Sequence, residues 1–167
     1  VNRMELGVLK QDGAYAEYMV ARARYVHQIP AELPLARAAL AEPLAVVLKA
    51  LRRLGATDAK SAPRSVGVIG AGTIGLLAAK VLAKRGDRVT EMDSDRRRVE
   101  AIGAEFATST SLTPIGSSEW IVEATGSQEV LAQVMRESST GSATLLLGFP
   151  YGREPFSFES IVAFDRS

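Results

Sequence analysis

A glycine-rich turn between a short apolar run and an amphipathic segment constrains the fold of this chain more than any other feature. The run at residues 66–69 is rich in β-branched side chains, as is typical of a buried parallel strand. The turn at residues 70–75 reads Gly-Ala-Gly-Thr-Ile-Gly, and the apolar residues that follow recur at the spacing of one helix face. A strand, a glycine turn and a helix in this order predict a phosphate site at the start of the helix.

Each glycine of the turn has its own expected role. Gly70 lets the chain turn, Gly72 lets the backbone approach a pyrophosphate, and Gly75 lets the helix pack closely on the strand. A second predicted strand, residues 88–92, ends at Asp93, about twenty positions beyond the glycines, where a carboxylate can accept hydrogen bonds from ribose hydroxyls. These features predict a dinucleotide site. They favour NAD over NADP, because a carboxylate repels a 2′-phosphate.

The rest of the chain continues to alternate between the two element types. Further strands are predicted at residues 105–107, 120–123 and 143–147, and helices at 43–54, 95–102 and 128–137. This order predicts an α/β protein with a Rossmann doubly wound parallel sheet, in which ligands lie at the carboxyl ends of the strands. Candidate binding residues at such ends are Thr125, Gly126, Gly148, Phe149 and Pro150.

The segment before residue 43 gives weaker signals. Alternation predicts a strand at residues 14–20, and a second extended piece is predicted at residues 25–29. His27 is the single histidine and the chain has no cysteine, so a disulfide framework and a thiolate metal site are excluded. His27 is expected to be structural or solvent-facing, because no other metal-binding residue lies at ligand spacing from it.

Charge and hydropathy limit the possible partners. The 20 basic and 19 acidic residues nearly balance, which argues against a nucleic-acid partner. No apolar stretch is long enough for a membrane span and no signal-peptide pattern opens the chain, so a cytoplasmic protein is expected. The arginines at residues 96–98 are expected to form a solvated helix face, with Arg98 as the candidate to reach the adenine or a phosphate.

The sequence also leads to predictions for two further side chains. Trp120 is expected to lie in the core rather than to stack on a ligand. Glu91 falls inside the second predicted strand, where a parallel sheet favours an apolar residue. Either Glu91 faces a basic partner, or that side of the sheet is less covered than the pattern indicates.

The order of these motifs resembles the medium-chain dehydrogenase/reductase family, and within it the zinc-dependent alcohol, polyol and sugar dehydrogenases. The matching stretches are residues 12–20, 41–45, 70–75, 93, 123–126 and 147–150. The resemblance implies zinc-assisted hydride transfer between an alcohol, polyol or sugar and NAD, in an enzyme that forms homo-oligomers. It also implies that Thr73 and Ile74 line the pyrophosphate, that Asp93 holds the ribose, and that Thr125 and residues 148–150 border the nicotinamide.

The resemblance further implies that Glu42 is a ligand or neighbour of the catalytic zinc, although an acid at a helix start is also a common dipole partner. The other zinc ligands of the family, a cysteine and a histidine–glutamate pair, have no counterpart in this sequence. The chain is therefore expected to be an inactive fragment with no identifiable catalytic base. Its expected parts are a remnant of a GroES-like catalytic domain (residues 1–45), the NAD-binding domain (46–152) and a return segment towards a missing sixth strand (153–167).

Three other functions are compatible with the sequence. A zinc-free quinone or enoyl reductase of the same family has no use for a metal-binding Glu42. A stand-alone NAD-sensing module needs no catalytic residues at all. A domain that binds S-adenosylmethionine shares the sheet, but it fits the helix-opening Gly75 less well.

Overall fold

The computed structural model describes residues 5–7, 9–55 and 62–148. The chain divides into two compact units, Val1–Ala38 and Ala39–Ser167. Within the described ranges, no helix is both long enough and apolar enough to cross a bilayer.

The first unit contains little regular structure. Strands β1 (Glu5–Leu6) and β2 (Lys10–Gln11) form a two-residue parallel pair, followed by a 3-10 helix at Ala23–Tyr25 and helix α1 (Leu35–Ala38). The strand predicted at residues 14–20 is wrong, and no strand forms at residues 25–29. Alternating side chains stabilise a strand when one face is buried, whereas Tyr15, Tyr18 and Val20 are all exposed.

The second unit is a doubly wound α/β fold, which confirms the predicted fold class. Its strands form one parallel sheet in the order β5-β4-β3-β6-β7. The strands are β3 (Ser65–Ile69), β4 (Arg88–Met92), β5 (Ala107–Ser109), β6 (Trp120–Glu123) and β7 (Ala143–Leu146). The helices are α2 (Ala41–Arg53), α3 (Thr73–Arg85), α4 (Arg96–Ile102) and α5 (Gln128–Glu137), with a 3-10 helix at Thr113–Ser117. The strand order reverses between β3 and β6, which is where ligands bind in sheets of this kind.

Apolar layers cover both faces of the sheet. Helices α2 and α3 pack on the face that carries Val66, Val68 and Val89, where Leu51 and Leu82 are fully buried. Helix α5 and the second 3-10 helix cover the opposite face. There Ile115 and Val134 form one apolar cluster with Ile69, Met92 and Ile121 of the sheet. Burial of these aliphatic side chains supplies the main driving force for the fold.

Most element boundaries agree with the sequence prediction. Pro43 lies in the first turn of α2, where its missing N–H costs nothing, although α2 begins two residues earlier than predicted. Gly86 ends α3 with a left-handed φ of 99°. Strand β5 begins two residues later than predicted, because the N–H groups of Glu105 and Phe106 still bond to Ile102 O at the end of α4.

A polar cluster at the amino ends of the strands confirms that Trp120 is a core residue. Trp120 is 7% exposed, and the guanidinium carbons of Arg64 and Arg85 lie 4.8 and 4.9 Å from the centroid of its ring. Asp87 forms an ion pair with Arg85 and accepts a hydrogen bond from Arg64 N at 2.9 Å. This cluster leaves the carboxyl ends of the strands available for the site.

Candidate functional site

The first turn of α3 has backbone N–H groups that no side chain caps. Gly72 is the N-cap residue, with φ −82° and ψ −174°, and no side chain caps the helix. Leu76 N bonds to Gly72 O, while the first turn contains no acidic side chain that could bind the N–H groups of Thr73, Ile74 and Gly75. These N–H groups and the positive end of the helix dipole favour an anion at this place.

The three glycines of the turn are subject to different constraints. Gly70 has a left-handed φ of +103°, and a Cβ atom there would lie 3.0 Å from Thr125 Cγ2. A Cβ atom on Gly75 would lie 1.9 Å from Gly70 O, so glycine is required for the helix to pack against the turn. Gly72 has no neighbouring atom within 4 Å of the Cβ position. The turn is therefore closed by the protein at Gly70 and Gly75 and open at Gly72.

Asp93 directly follows β4 and connects the end of this strand to the glycine turn. Its Oδ2 atom accepts a hydrogen bond from Ala71 N at 2.9 Å, and its Oδ1 atom accepts one from Asp95 N at 2.8 Å. The side chain is 8% exposed. A carboxylate has about four acceptor positions, so a ribose hydroxyl can still bond to Asp93.

The arginines of α4 lie on the solvent side. Arg96 pairs with Glu100 and Arg97 pairs with Asp95, as expected for a solvated face. Arg98 Nη1 lies 3.3 Å from Asp93 Oδ2 with a half-exposed side chain. The structure thus brings Arg98 to the predicted ribose-binding acid, while the contact of Arg98 with an adenine or a phosphate remains a prediction.

Asp95 also serves as the N-cap of α4, because its Oδ1 atom accepts a hydrogen bond from Arg97 N at 3.0 Å. The side-chain hydrogen bond from Arg97 is the main cause that lowers the pKa of Asp95 below its usual range. This cap fixes the start of α4 directly after Asp93.

Glu123 is a buried carboxylate whose role the sequence analysis missed. Its Oε1 atom accepts hydrogen bonds from Thr125 N at 2.7 Å, from Gly126 N at 3.0 Å and from the Thr125 hydroxyl. These bonds hold the turn that follows β6, beside Gly70. A glutamate at the last position of a buried strand, followed by Ala-Thr-Gly, is the sequence signal for such a turn-stabilising carboxylate.

The turns after β6 and β7 lie against each other. A Cβ atom on Gly148 would lie 2.1 Å from Gly126 N and 2.6 Å from Glu123 Oε2. Thr125, Gly126 and Gly148 therefore lie together, as their positions at strand ends predict. Phe149 and Pro150, the other two candidates in this group, lie outside the described residues.

Glu91 contradicts both explanations offered for it by the sequence. It is fully buried, it lies on the sheet face covered by α3, and neither of its carboxyl oxygens has a hydrogen-bond partner among the described residues. Within residues 5–7, 9–55 and 62–148 no basic side chain pairs with Glu91, and that side of the sheet is covered by α3. Burial, with a further contribution from the charge of Asp93, raises the pKa of Glu91 to about 8.

The described residues do not form a zinc centre. Glu42 lies in the first turn of α2 and is exposed, and His27 is exposed in the first unit. No group of three or more His, Cys, Asp or Glu side chains that could hold a metal occurs within residues 5–7, 9–55 and 62–148. Because a catalytic zinc needs about three protein ligands, the described part of the chain does not fit this metal, and the role of Glu42 remains a prediction.

A doubly wound parallel sheet with a glycine turn, a bare helix start and an acid at the end of the neighbouring strand defines a nucleotide-binding α/β domain. Residues 36–161 match the protein family described as "Glucose dehydrogenase C-terminus". The chain belongs to this family. The resemblance to the medium-chain dehydrogenases is thereby confirmed.

Curated relatives agree with this assignment. The chain is 35% identical over 159 residues to glucose 1-dehydrogenase 1 of Caldivirga maquilingensis, covering 89% of this chain and 45% of the relative. It is 32% identical over 147 residues to D-altritol 5-dehydrogenase of Agrobacterium fabrum, covering 84% of this chain and 44% of the relative. The chain thus spans about half the length of these relatives.

Solved structures share the fold. A protein of Sinorhizobium meliloti bound to NADP superposes with a TM-score of 0.76 at 22% identity, over 94% of this chain and 50% of that one. Acetophenone reductase of Geotrichum candidum in complex with NAD superposes with a TM-score of 0.75 at 18% identity, over 98% of this chain and 48% of that one.

Substitutions in the glycine turn will separate folding from ligand binding. Gly72→Ser introduces a side chain into open space at a good N-cap position, so we expect unchanged stability. We expect the serine to lower the affinity for a nicotinamide dinucleotide roughly tenfold or more, because it fills the open space predicted to receive a phosphate and caps a first-turn N–H. Gly75→Ala will destabilise the fold by about 3 kcal/mol, because its methyl group overlaps Gly70 O.

Chemical denaturation and calorimetric titration with NAD measure the two effects. Gly103→Ala, at a glycine with ordinary contacts and no left-handed φ, is the matched control and will retain both properties. Normal NAD binding by Gly72→Ser would contradict the location of the phosphate site.

The buried Glu91 will make stability fall as pH rises. Its pKa is higher in the folded chain than in the unfolded chain, so folding favours the protonated form, and the stabilising contribution is lost between pH 4.5 and 8. We expect the free energy of unfolding to fall by roughly 4 kcal/mol over this range, at about 1.4 kcal/mol per pKa unit. Glu91→Leu will remove this slope, as measured by urea denaturation at each pH. An equal slope in wild type and variant would show that Glu91 does not titrate in this way.

Proposed function

We propose that this chain binds a nicotinamide dinucleotide and forms the coenzyme half of a dehydrogenase that transfers a hydride between an alcohol, polyol or sugar and the cofactor. The hydrogen bond between Asp93 Oδ2 and Ala71 N carries this proposal, because it places the acid suited to a ribose directly beside the turn suited to a diphosphate. The names of the relatives, glucose 1-dehydrogenase and D-altritol 5-dehydrogenase, support the substrate class.

The proposed cofactor position follows the carboxyl ends of the central strands. The diphosphate binds the first-turn N–H groups of α3, and the adenosine ribose binds Asp93. The nicotinamide half extends past Thr125 and Gly126 towards Gly148. This direction is supported by the close approach of Gly148 to the turn that Glu123 holds.

NAD is the proposed cofactor. The Asp93 carboxylate is nearly buried beside the glycine turn, so a 2′-phosphate would meet a negative charge that water screens poorly. Arg98, the cation nearest to this carboxylate in the described ion pairs, already binds it. Solved structures of the same fold bind NADP in one case and NAD in another, so the preference rests on Asp93 itself.

The remaining parts of the proposal concern the whole protein. Hydride transfer takes place at the nicotinamide, which supplies the redox chemistry when it is bound, and the residues of this chain bind and orient it. The proposal also includes three properties of the whole protein. Glu42 is a ligand or neighbour of a zinc ion, the protein forms homo-oligomers, and it is located in the cytoplasm. The nearly balanced charge of the chain supports a small-molecule partner rather than a nucleic acid.

Calorimetric titration of the chain with NAD and NADP tests the proposed cofactor. We expect NAD to bind roughly tenfold or more tightly than NADP, a difference of about 1.4 kcal/mol or more. Asp93→Ser will reduce this difference in affinity, because NAD will bind more weakly and NADP more tightly. The variant loses a ribose acceptor for NAD, and it frees Arg98 to contact the 2′-phosphate of NADP.

Glu100→Gln removes an exposed carboxylate from α4 without touching Asp93, and it will keep the wild-type preference. NADP affinity equal to that for NAD in the wild-type chain would refute the choice of NAD. Absence of binding for both dinucleotides would refute the proposed function.

A further inference from the structure

Glu91 lies beneath the start of α3. It pairs in register with Val68 of β3, on the face of the sheet that α3 covers. Its Oε1 atom lies 3.2 Å from the position that a Cβ atom on Gly75 would occupy. The carboxyl group therefore lies close to Gly75, in the first turn of α3.

This carboxyl group holds no neighbouring residue of the described ranges by a hydrogen bond. It is 0% exposed, and both of its oxygens lack a hydrogen-bond partner within the described ranges. Asp93 and Glu123, by contrast, each accept at least three hydrogen bonds from neighbouring groups. A fully buried acid without a partner is costly, so its presence at the start of a ligand-binding helix calls for a functional explanation.

Few charged groups surround Glu91. Strands β3 and β5, which flank β4, carry no ionisable side chain. On α3 the cations lie in the second half of the helix, where Lys80 pairs with Glu105, Arg85 pairs with Asp87 and Lys84 is exposed. On β4 itself, Arg88 is exposed at the far end of the strand.

Asp93 is therefore the charged group that acts on Glu91, and it makes ionisation of Glu91 less favourable. Together with burial, it raises the pKa of Glu91 to about 8, so the group is a neutral acid at pH 7.

We propose that Glu91 is a binding determinant of the phosphate cradle and that it supports dinucleotide binding only in its protonated form. An ionised Glu91 would add a second carboxylate near Asp93, close to the helical turn whose N–H groups receive the diphosphate. Its negative charge would offset the positive potential at the start of α3. It would also repel the two phosphates through a low-dielectric interior. The neutral acid leaves that end of the helix free to bind an anion.

The proton balance follows from this arrangement. Well below pH 8 Glu91 already carries its proton, and the dinucleotide binds with little proton exchange. Above pH 8 the ionised carboxylate takes one proton from solvent when the dinucleotide binds, and only the O–H bond of Glu91 is formed. By linkage, the bound diphosphate raises the pKa of Glu91 further.

This inference rests on the proposed function, and NAD is a suitable probe because its diphosphate does not titrate between pH 7 and 9. In calorimetric titrations of the wild-type chain, we expect NAD affinity to fall above pH 8 by up to about tenfold per pH unit. At pH 9, buffers of different ionisation enthalpy will report the uptake of nearly one proton per bound NAD.

Glu91→Gln keeps the shape of the side chain and removes its ionisation. We expect this variant to bind NAD at pH 7 within about twofold of the wild type, and to lose both the pH dependence and the proton uptake. Glu137→Gln changes an exposed glutamate at the last residue of α5, and it will behave as the wild type. If the Gln variant is unstable, Glu91→Met is the second variant, since methionine fills a similar volume without a polar group.

The possible outcomes separate the two proposals. NAD binding without proton uptake at pH 9, or with the same pH profile in Glu91→Gln as in the wild type, would overturn the role of Glu91 and leave the proposed function intact. Failure of the wild-type chain to bind NAD at any pH between 6 and 9 would refute the proposed function, and the role of Glu91 with it.

Discussion

The hydrogen bond from Ala71 N to the Asp93 carboxylate is the contact on which the site depends. It joins the turn after β3 to the end of β4, two segments 22 residues apart in sequence. Met92 O also accepts a hydrogen bond from Gly70 N at 2.7 Å, so the main chain and the side chain fix the same junction. These two bonds set the separation between the start of α3 and the acid, which is the condition for binding a diphosphate and its ribose together.

Three buried or nearly buried carboxyl groups shape the carboxyl edge of the sheet, and their environments give them different roles. Asp93 and Glu123 accept backbone hydrogen bonds and hold the turns after β4 and β6. Glu91 accepts none and stays neutral at pH 7, because burial and Asp93 both disfavour its charge. The negative charge at the edge is thereby limited to groups that are hydrogen-bonded, which leaves the start of α3 electrostatically suited to an anion.

The central part of the fold was predictable from local patterns. Residues 66–92 combine β-branched strands, a glycine turn and a left-handed glycine cap, and each signal favours the same β-α-β unit. Alternation alone led to the wrong prediction of a strand at residues 14–20, because a strand depends on a neighbour that the local pattern does not specify. The roles of Glu91 and Glu123 were missed for a related reason: a glutamate in a strand is informative only when its burial and its hydrogen-bond partners are known.

An NMR titration of the isotope-labelled chain with NAD tests the central claim most directly, because it reports each backbone N–H separately. We predict that the amide signals of Gly72, Thr73, Ile74 and Gly75 shift with a common saturation curve. The Ala71 amide, which is bonded to Asp93, will shift with them. The amides of Gly116 and Gly141, at the amino edge of the sheet, will stay in place. Saturable shifts confined to that amino edge, with an unchanged glycine turn, would contradict the account.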